Sequence, residues 1–242
     1  MIPKVIHYCW FGKGKMNALS EKCMESWKIF LPDYEIKLWN EENFDLESNR
    51  YVKEAYLSKK YAFVSDYVRL YALFHEGGIY MDTDVEVLKN MDQFLNLPAF
   101  SGFESDKDIP TGMMASEKNG AWAKEQLAYY QDRNFIKADG SLDITTNVQI
   151  ISSIMVKNGF ILKNSYQIYK DCMHIFPKDY FCAKERSGIL NLTENTFCIH
   201  HFNGSWISGK DKVKKYFFKK IIGPKITSKL ILLKKKVLKK AK

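Results

Sequence analysis

Residues 77–84 read Gly-Gly-Ile-Tyr-Met-Asp-Thr-Asp, a short apolar run between two glycines and two carboxylates. The glycines predict the end of a helix, because glycine adopts the left-handed C′ conformation without a Cβ clash. Residues 79–81 then predict a buried strand that ends at Asp82. Ligands of open α/β sheets bind at the carboxyl ends of the strands, so this stretch predicts both a strand and a site beside it.

Segments on either side alternate between strand and helix patterns. The other predicted strands are 4–10, 34–39, 85–88, 99–103 and 197–202. The predicted helices are 17–30, 44–60, 61–75, 122–133 and 146–158. The order up to residue 84 is strand, helix, strand, helix, helix, strand, which is typical of an α/β domain with a largely parallel sheet.

Asp82 and Asp84 are the first candidate site residues. Two carboxylates one residue apart at a strand's end can present oxygens to one hard cation, which could then neutralise a diphosphate. Asp106 and Asp108 have the same spacing, but they lie in the polar loop predicted at 104–110, before Pro110, and not directly at the end of a strand. We therefore predict a metal site at the first pair and a solvated loop at the second.

Asp66 and Arg69 lie three residues apart, on one face of the otherwise apolar helix predicted at 61–75. The pair can form a local salt bridge. Alternatively, Asp66 can accept hydrogen bonds from ligand hydroxyls while Arg69 donates to a phosphate or sugar oxygen. The spacing alone favours the salt bridge.

Further candidates lie near both ends of the chain. His200 and His201 are neighbours in a predicted strand, so at most one of them faces a site. They are followed by Gly204-Ser205-Trp206, a turn that carries a hydroxyl and an indole donor. Trp10, at the end of the first predicted strand, can stack on a flat base or belong to the core.

Positive charge is concentrated at the C-terminal end. Residues 209–242 hold 14 of the chain's 37 basic residues and one of its 28 acidic residues, so they carry +13 and the remainder carries −4. Lysines alternate there with large apolar side chains, a pattern typical of helices that lie in the interface of anionic membranes. We predict a globular domain at 1–208 and a membrane-associating amphipathic tail at 209–242, and no binding of nucleic acid, which would require basic residues spread over the body.

The five cysteines are scattered and odd in number, without Cys-x-x-Cys spacing. This pattern argues against a disulfide framework or a zinc knuckle and favours a reducing compartment. The N-terminus resembles a strand rather than a signal peptide, and no apolar run reaches the ~18 residues of a spanning helix. The expected location is therefore the cytoplasm, with the protein peripheral on the inner face of the cell membrane.

Four segments in fixed order resemble glycosyltransferase family 32, whose members include bacterial capsular polysaccharide transferases and yeast mannosyltransferases. The segments are Ile2-Pro3-Lys4-Val5-Ile6-His7 with Trp10, Ser65-Asp66 with Arg69, the stretch 77–84, and His200-His201 with Ser205-Trp206. The match is densest over residues 1–95. It implies a GT-A fold, an Asp-x-Asp motif that holds Mn²⁺ or Mg²⁺ on a nucleotide-sugar diphosphate, and retention of anomeric configuration.

The resemblance also implies roles for individual residues. Trp10 would stack on the nucleobase, Asp66 would hold ribose or donor-sugar hydroxyls, Arg69 would contact the sugar or diphosphate, and Trp206 would contact phosphate.

The implied metal ligands are Asp82, which also contacts ribose, Asp84 as the main chelator, and Ser205. For the histidine ligand we choose His200 over His201, because related transferases place the equivalent histidine first in such a pair.

The sequence therefore predicts a metal-dependent transferase that moves a sugar, from a UDP-sugar by preference, to a saccharide acceptor. A lipid-linked acceptor in capsular or other cell-surface glycan synthesis fits the predicted tail. The alternatives are a catalytically silent nucleotide-sugar binding module, a basic-tailed adaptor for membrane or nucleic acid, and a metal-dependent phosphohydrolase. The last is disfavoured because a two-metal site needs more ligands than this one acidic cluster.

Overall fold

The computed structural model describes residues 1–110 and 112–204. Within these ranges the helices are α1 (Ala18–Phe30), α2 (Arg50–Leu57), α3 (Tyr61–His75), α4 (Ala121–Ala128), α5 (Asn147–Lys157) and α6 (Lys178–Phe181). The strands are β1 (Val5–Cys9), β2 (Glu35–Trp39), β3 (Gly78–Met81), β4 (Val85–Val87), β5 (Ala99–Gly102), β6 (Met113–Ser116), β7 (Gln167–Tyr169), β8 (Met173–Phe176) and β9 (Cys198–His200).

The main sheet of this part of the chain has seven strands in the order β2-β1-β3-β6-β5-β8-β7. β1 is parallel to β2 and β3, and β5 is parallel to β8. β6 is antiparallel to both of its neighbours, and β7 is antiparallel to β8. Five of the seven strands therefore run in one direction, which confirms the predicted α/β class with a largely parallel sheet.

β3 lies inside the sheet and is buried on both faces. Its Tyr80 packs in an apolar cluster with residues of α3 such as Val64 and Val68. Ile79 and Met81 pack in a second cluster that includes Trp27 of α1. Helices thus cover both faces of the sheet, and the carboxyl end of β3 delivers Asp82 to the edge.

The turn between α3 and β3 explains the two glycines. Gly77 has φ +72° and Gly78 has φ +117°, values that favour glycine. A Cβ on Gly77 would lie 2.6 Å from the backbone nitrogen of Lys118, and one on Gly78 would lie 2.6 Å from the carbonyl oxygen of Val5. A side chain at either position would prevent the close approach of β3 to its neighbours.

A second, two-stranded sheet joins distant parts of the chain. β4 pairs antiparallel with β9, with Val85 opposite His200 and Val87 opposite Cys198. This pairing places the end of the described chain beside the residues that follow β3.

The predicted elements differ from the structure in several places. The helix predicted at 44–60 begins only at Arg50, because Asn49 caps it and residues 40–48 form turns held by side chains such as that of Asp45. The helix predicted at 122–133 ends at Ala128. The strands β6, β7 and β8 and the short helix α6 were not predicted.

None of the helices in residues 1–110 and 112–204 has the length and apolarity needed to span a bilayer. The predicted tail at 209–242, together with Ser205 and Trp206, lies outside the described residues.

Candidate active site

Three potential metal ligands converge at the carboxyl end of β3. His200 Nε2 lies 3.4 Å from Asp84 Oδ1 and 3.9 Å from Asp82 Oδ2. One atom from each of the three side chains lies within 4.8 Å of the others, and within the described residues no other group of three His, Cys, Asp or Glu side chains meets this criterion. Asp82 and Asp84 follow the end of β3, whereas His200 is the last residue of β9.

Two backbone N–H groups near the end of the described chain hold Asp84 in place. The Asn203 N–H donates to Asp84 Oδ2 over 2.7 Å, and the His201 N–H donates to the Asp84 carbonyl over 2.9 Å. Burial opposes the ionisation of Asp84, but the charge and hydrogen bond of His200 outweigh it and lower the pKa of Asp84 to about 2. Asp84 is therefore ionised at neutral pH.

Two neighbouring histidines face different carboxylates. Burial lowers the pKa of His200, but the Asp84 carboxylate outweighs burial and the pKa lies well above the usual range. His201 Nε2 lies 2.7 Å from Glu86 Oε2, away from the cluster. The structure thus brings His200, and not His201, beside the two aspartates.

Gly112 lies against the same cluster. The Asp82 N–H donates to its carbonyl over 2.8 Å. A Cβ on Gly112 would lie 3.0 Å from both Asp82 Oδ2 and His200 Cε1. The absence of a side chain here leaves room beside the ligand atoms.

Arg69 links the helix α3 to the end of β3. Its Nη2 lies 3.1 Å from Asp66 Oδ1 and 3.3 Å from Asp82 Oδ1. Asp82 Oδ1 also accepts a hydrogen bond from Tyr80 Oη over 3.0 Å, and the guanidinium lies 4.5 Å from the centre of the Tyr80 ring. The predicted salt bridge between Asp66 and Arg69 is present, and it extends to Asp82.

The Asp66 side chain is buried beside the Arg69 guanidinium. Burial raises its pKa to about 6, although the nearby Arg69 acts in the opposite direction. The N–H of Asn147, at the first turn of α5, donates to Asp66 Oδ2 over 3.2 Å. Asn147 is itself buried, and its Nδ2 has no hydrogen-bond partner among the described residues. The sequence predicted the start of α5 but not its contact with Asp66.

Trp10 is half-buried at the carboxyl end of β1, the strand beside β3. Its Nε1 donates to the Gly14 carbonyl over 2.6 Å, which restrains the ring.

The second aspartate pair lies away from the cluster. The Asp106 side chain is 71% exposed and forms an ion pair with Lys178. Neither Asp106 nor Asp108 belongs to the cluster of potential ligands.

Glu104 is a site residue that was not predicted, since it lies in the predicted polar loop 104–110. Its side chain is buried just beyond β5, with Oε2 3.8 Å from His200 Nδ1. Its Oε1 accepts a hydrogen bond from Arg186 Nη2. No pattern in the local sequence distinguishes this carboxylate from its exposed neighbours.

Comparison with known families shows a similarity over the region that contains the two aspartates. Residues 18–101 match the family described as "Glycosyltransferase sugar-binding region containing DXD motif". The match includes Asp66, Arg69 and the Asp82–Asp84 motif, and it covers about a third of the chain. Residues 18–101 are therefore similar to the DXD-containing sugar-binding region of glycosyltransferases, in agreement over this region with the resemblance found in the sequence.

Similar proteins include an "Inositol phosphoceramide mannosyltransferase 3" of Schizosaccharomyces pombe, 33% identical over 124 residues, or 48% of this chain and 34% of the relative. The "Mannosyl phosphorylinositol ceramide synthase SUR1" of Saccharomyces cerevisiae is 29% identical over 123 residues, or 48% of this chain and 31% of the relative. The chain thus matches only about a third of the length of these relatives. A solved structure named "PaToxG Glycosyltransferase" aligns with a TM-score of 0.49 at 19% identity, over 65% of this chain and 69% of that one.

Proposed function

We propose that this protein is a metal-dependent, retaining glycosyltransferase that moves a hexose from a nucleotide sugar to a saccharide acceptor. The observation that carries the proposal is the convergence of Asp82, Asp84 and His200 at the end of β3, beside the Asp66–Arg69 pair. All five residues face the end of the sheet where α/β proteins bind nucleotides.

The three converging side chains suit Mn²⁺ or Mg²⁺. Ligands about 2.1 Å from an ion are separated by about 3 Å when adjacent and about 4.2 Å when opposite, and the measured separations of 3.4 and 3.9 Å lie within this range. Two carboxylates and one imidazole form a mostly hard donor set. The bound ion would stabilise the charge that develops on the departing nucleoside diphosphate.

The protein's own groups would orient the donor. Arg69 would donate to a sugar or diphosphate oxygen, and its two aspartate partners keep its guanidinium in place. Asp66 would accept hydrogen bonds from donor hydroxyls. The departing phosphate oxygen can take the acceptor's proton, so this scheme requires no protein base.

We propose a UDP-sugar as the donor, with Trp10 stacking on the base. The restrained, half-buried position of this ring at the end of β1 supports a stacking role. The names of the yeast relatives add mannose as the sugar to test first.

The acceptor and the location rest on the C-terminal charge pattern. We propose a lipid-linked oligosaccharide acceptor used in capsular or cell-surface glycan synthesis, at the inner face of the cell membrane. Residues 209–242 would bind the anionic lipid surface, and residues 1–208 would form the catalytic domain. Nucleic acid is not a proposed partner.

A panel of UDP- and GDP-sugars incubated with Mn²⁺ tests this function. We expect one donor to release a nucleoside diphosphate and free sugar, and we expect EDTA to abolish this release. A binding module would bind the donor without releasing diphosphate, and a phosphohydrolase would release inorganic phosphate or a nucleoside monophosphate. Either of these results would contradict the proposal.

A further inference from the structure

His200 presents its two ring nitrogens to opposite sides. Nε2 faces Asp82 and Asp84, whereas Nδ1 faces Glu104. Nδ1 is buried and has no hydrogen-bond partner among the described residues. A buried polar atom without a hydrogen-bond partner destabilises the folded protein. The groups around Nδ1 therefore help to determine how the ring is held.

The Glu104 carboxylate faces this atom. Its side chain is 3% exposed, and Oε2 lies 3.8 Å from Nδ1, slightly beyond hydrogen-bond distance. Its other oxygen is bonded to Arg186, so Oε2 is the oxygen left for His200. The Cys182 thiol is a further neighbour of the His200 ring. It donates to the carbonyl oxygen of Glu104 over 3.7 Å and to that of Lys184 over 3.8 Å.

Glu104 and a bound ion would lie on different sides of the imidazole. A metal-binding histidine donates its other ring N–H to an acceptor, which fixes both the tautomer and the orientation of the ring. The geometry points to Glu104 as the positioning residue of His200: its Oε2 accepts the Nδ1 proton and so keeps the Nε2 lone pair directed at the ion. This inference rests on the proposed function, because it requires an ion at Asp82, Asp84 and His200.

Arg186 determines the orientation of Glu104. Its guanidinium bonds Oε1 and lies 5.0 Å from the centre of the Phe202 ring, which in turn lies 4.1 Å from the centre of the His200 ring. A glutamine at position 104 would keep the size of the side chain but offer a single oxygen. Arg186 would hold that oxygen, and the amide NH₂ would face Nδ1, which favours the tautomer with its proton on Nε2.

The first test is Mn²⁺ affinity, measured by the electron paramagnetic resonance signal of free Mn²⁺ with the full chain. Glu104→Gln should weaken Mn²⁺ binding by about 10- to 100-fold, the range found for outer hydrogen-bond partners of metal ligands. Its thermal unfolding without metal should stay close to that of the unaltered protein. Glu86→Gln is the matched control, since it changes the carboxylate beside His201, and it should leave Mn²⁺ affinity unchanged within about twofold.

A compensating variant distinguishes positioning from a merely structural role. When Glu104→Gln is combined with Arg186→Met, the carboxamide can turn its oxygen towards Nδ1, and part of the lost Mn²⁺ affinity should return. Equal affinity in the unaltered protein and Glu104→Gln would overturn the inference while leaving the proposed metal site intact. Failure of the unaltered protein to bind Mn²⁺ would overturn both.

A measurement on the unaltered sequence does not depend on a variant's folding. In the Mg²⁺-saturated protein, ring ¹⁵N shifts of labelled histidine should show Nδ1 of His200 protonated and Nε2 without a proton, with the signal assigned by its loss in His200→Gln. A proton on Nε2 in that state would contradict the assigned role.

Discussion

Asp84 and Asp106 belong to pairs with the same spacing, yet only Asp84 lies beside a second carboxylate and an imidazole. Asp84→Asn should therefore reduce donor turnover by at least 1,000-fold, since metal-dependent charge stabilisation contributes several kcal/mol to such reactions and 1.36 kcal/mol corresponds to a factor of ten. The measurement is Mn²⁺-dependent release of nucleoside diphosphate.

Asp106→Asn combined with Asp108→Asn is the matched control. Asp106 is solvent-exposed, and neither residue belongs to the cluster, so the turnover of this variant should stay within about twofold of the unaltered protein. Full activity in Asp84→Asn, or its loss in the double variant alone, would show that the wrong pair has been assigned to the metal.

Gly112 provides a test of space rather than charge. In Gly112→Ala, the methyl group would lie 3.0 Å from both Asp82 Oδ2 and His200 Cε1, so we expect Mn²⁺ affinity to fall more than tenfold. The free energy of unfolding should change by only about 1 kcal/mol, because Gly-to-Ala changes in compatible backbone have small effects. Gly14→Ala, whose Cβ would meet nothing within 4 Å, should alter neither quantity.

At the scale of elements, His7 connects three of them. Trp39 Nε1 of β2 donates to His7 Nδ1 over 3.1 Å, and His7 Nε2 lies 2.7 Å from the carbonyl oxygen of Gly77, which precedes β3. Because indole can only donate, Nδ1 is the acceptor and the Nε2 proton is donated to Gly77. The ring is thus held neutral between β1, β2 and the turn that leads to the proposed metal ligands.

This arrangement predicts a pH dependence of stability. Burial lowers the pKa of His7 despite its bond to Gly77, so the unfolded chain takes up a proton at a higher pH than the folded one. The contribution of His7 to stability is then present above about pH 6.5 and is lost as the pH falls through the lowered pKa. Urea unfolding at pH 7.5 and 5.5 should show a smaller loss at low pH in His7→Gln than in the unaltered protein.

His75→Gln, which replaces an exposed histidine at the end of α3, is the control for that comparison. It should leave the difference between the two pH values unchanged. If His7→Gln and the unaltered protein lose the same stability on acidification, His7 does not titrate as proposed.

The elements up to residue 81 were largely predictable from local signals. Helix α3 spans the predicted residues 61–75, because the apolar pattern is long and Gly77 ends it. The strand β6 has only four residues, all buried, and no alternation of faces to distinguish it. Its reversed direction depends on pairing with β3 and β5, which no local pattern reveals.

The site residues were divided in the same way between those that local signals predict and those that tertiary packing brings together. The ends of strands and the family resemblance together indicated Asp82, Asp84 and His200 as neighbours. Glu104 and Asn147 come from a loop and a helix start whose proximity to the site depends on tertiary packing. Such contacts leave no periodic signal in the sequence, so they emerged only from the structure.

At the scale of the whole molecule, the division of charge predicts how the protein meets a membrane. The segment 209–242 carries +13 and large apolar side chains, whereas the rest carries −4. The full chain should float with anionic liposomes and be partly released at 1 M salt, where the Debye length is ~3 Å. A chain ending at Ser208 should remain in solution, as should the full chain with neutral lipid if charge provides the attraction.

Flotation of both chains to the same extent would assign membrane contact to the body instead. Activity on a soluble acceptor should survive the truncation, because the proposed ligands Asp82, Asp84 and His200 precede residue 208. Loss of that activity would show that the segment serves the catalytic domain itself.

The pairing of β4 with β9 has a consequence for the order of synthesis. The Asp84 carboxylate and the Asn203 N–H that bonds it are 119 positions apart, so a ribosome must make nearly the whole described chain before the ligand set is complete. Until then the two aspartates have no imidazole beside them. Binding of the proposed ion would therefore have to wait for the last described strand, and a chain arrested before residue 200 would emerge with its main sheet largely translated but without the proposed metal site.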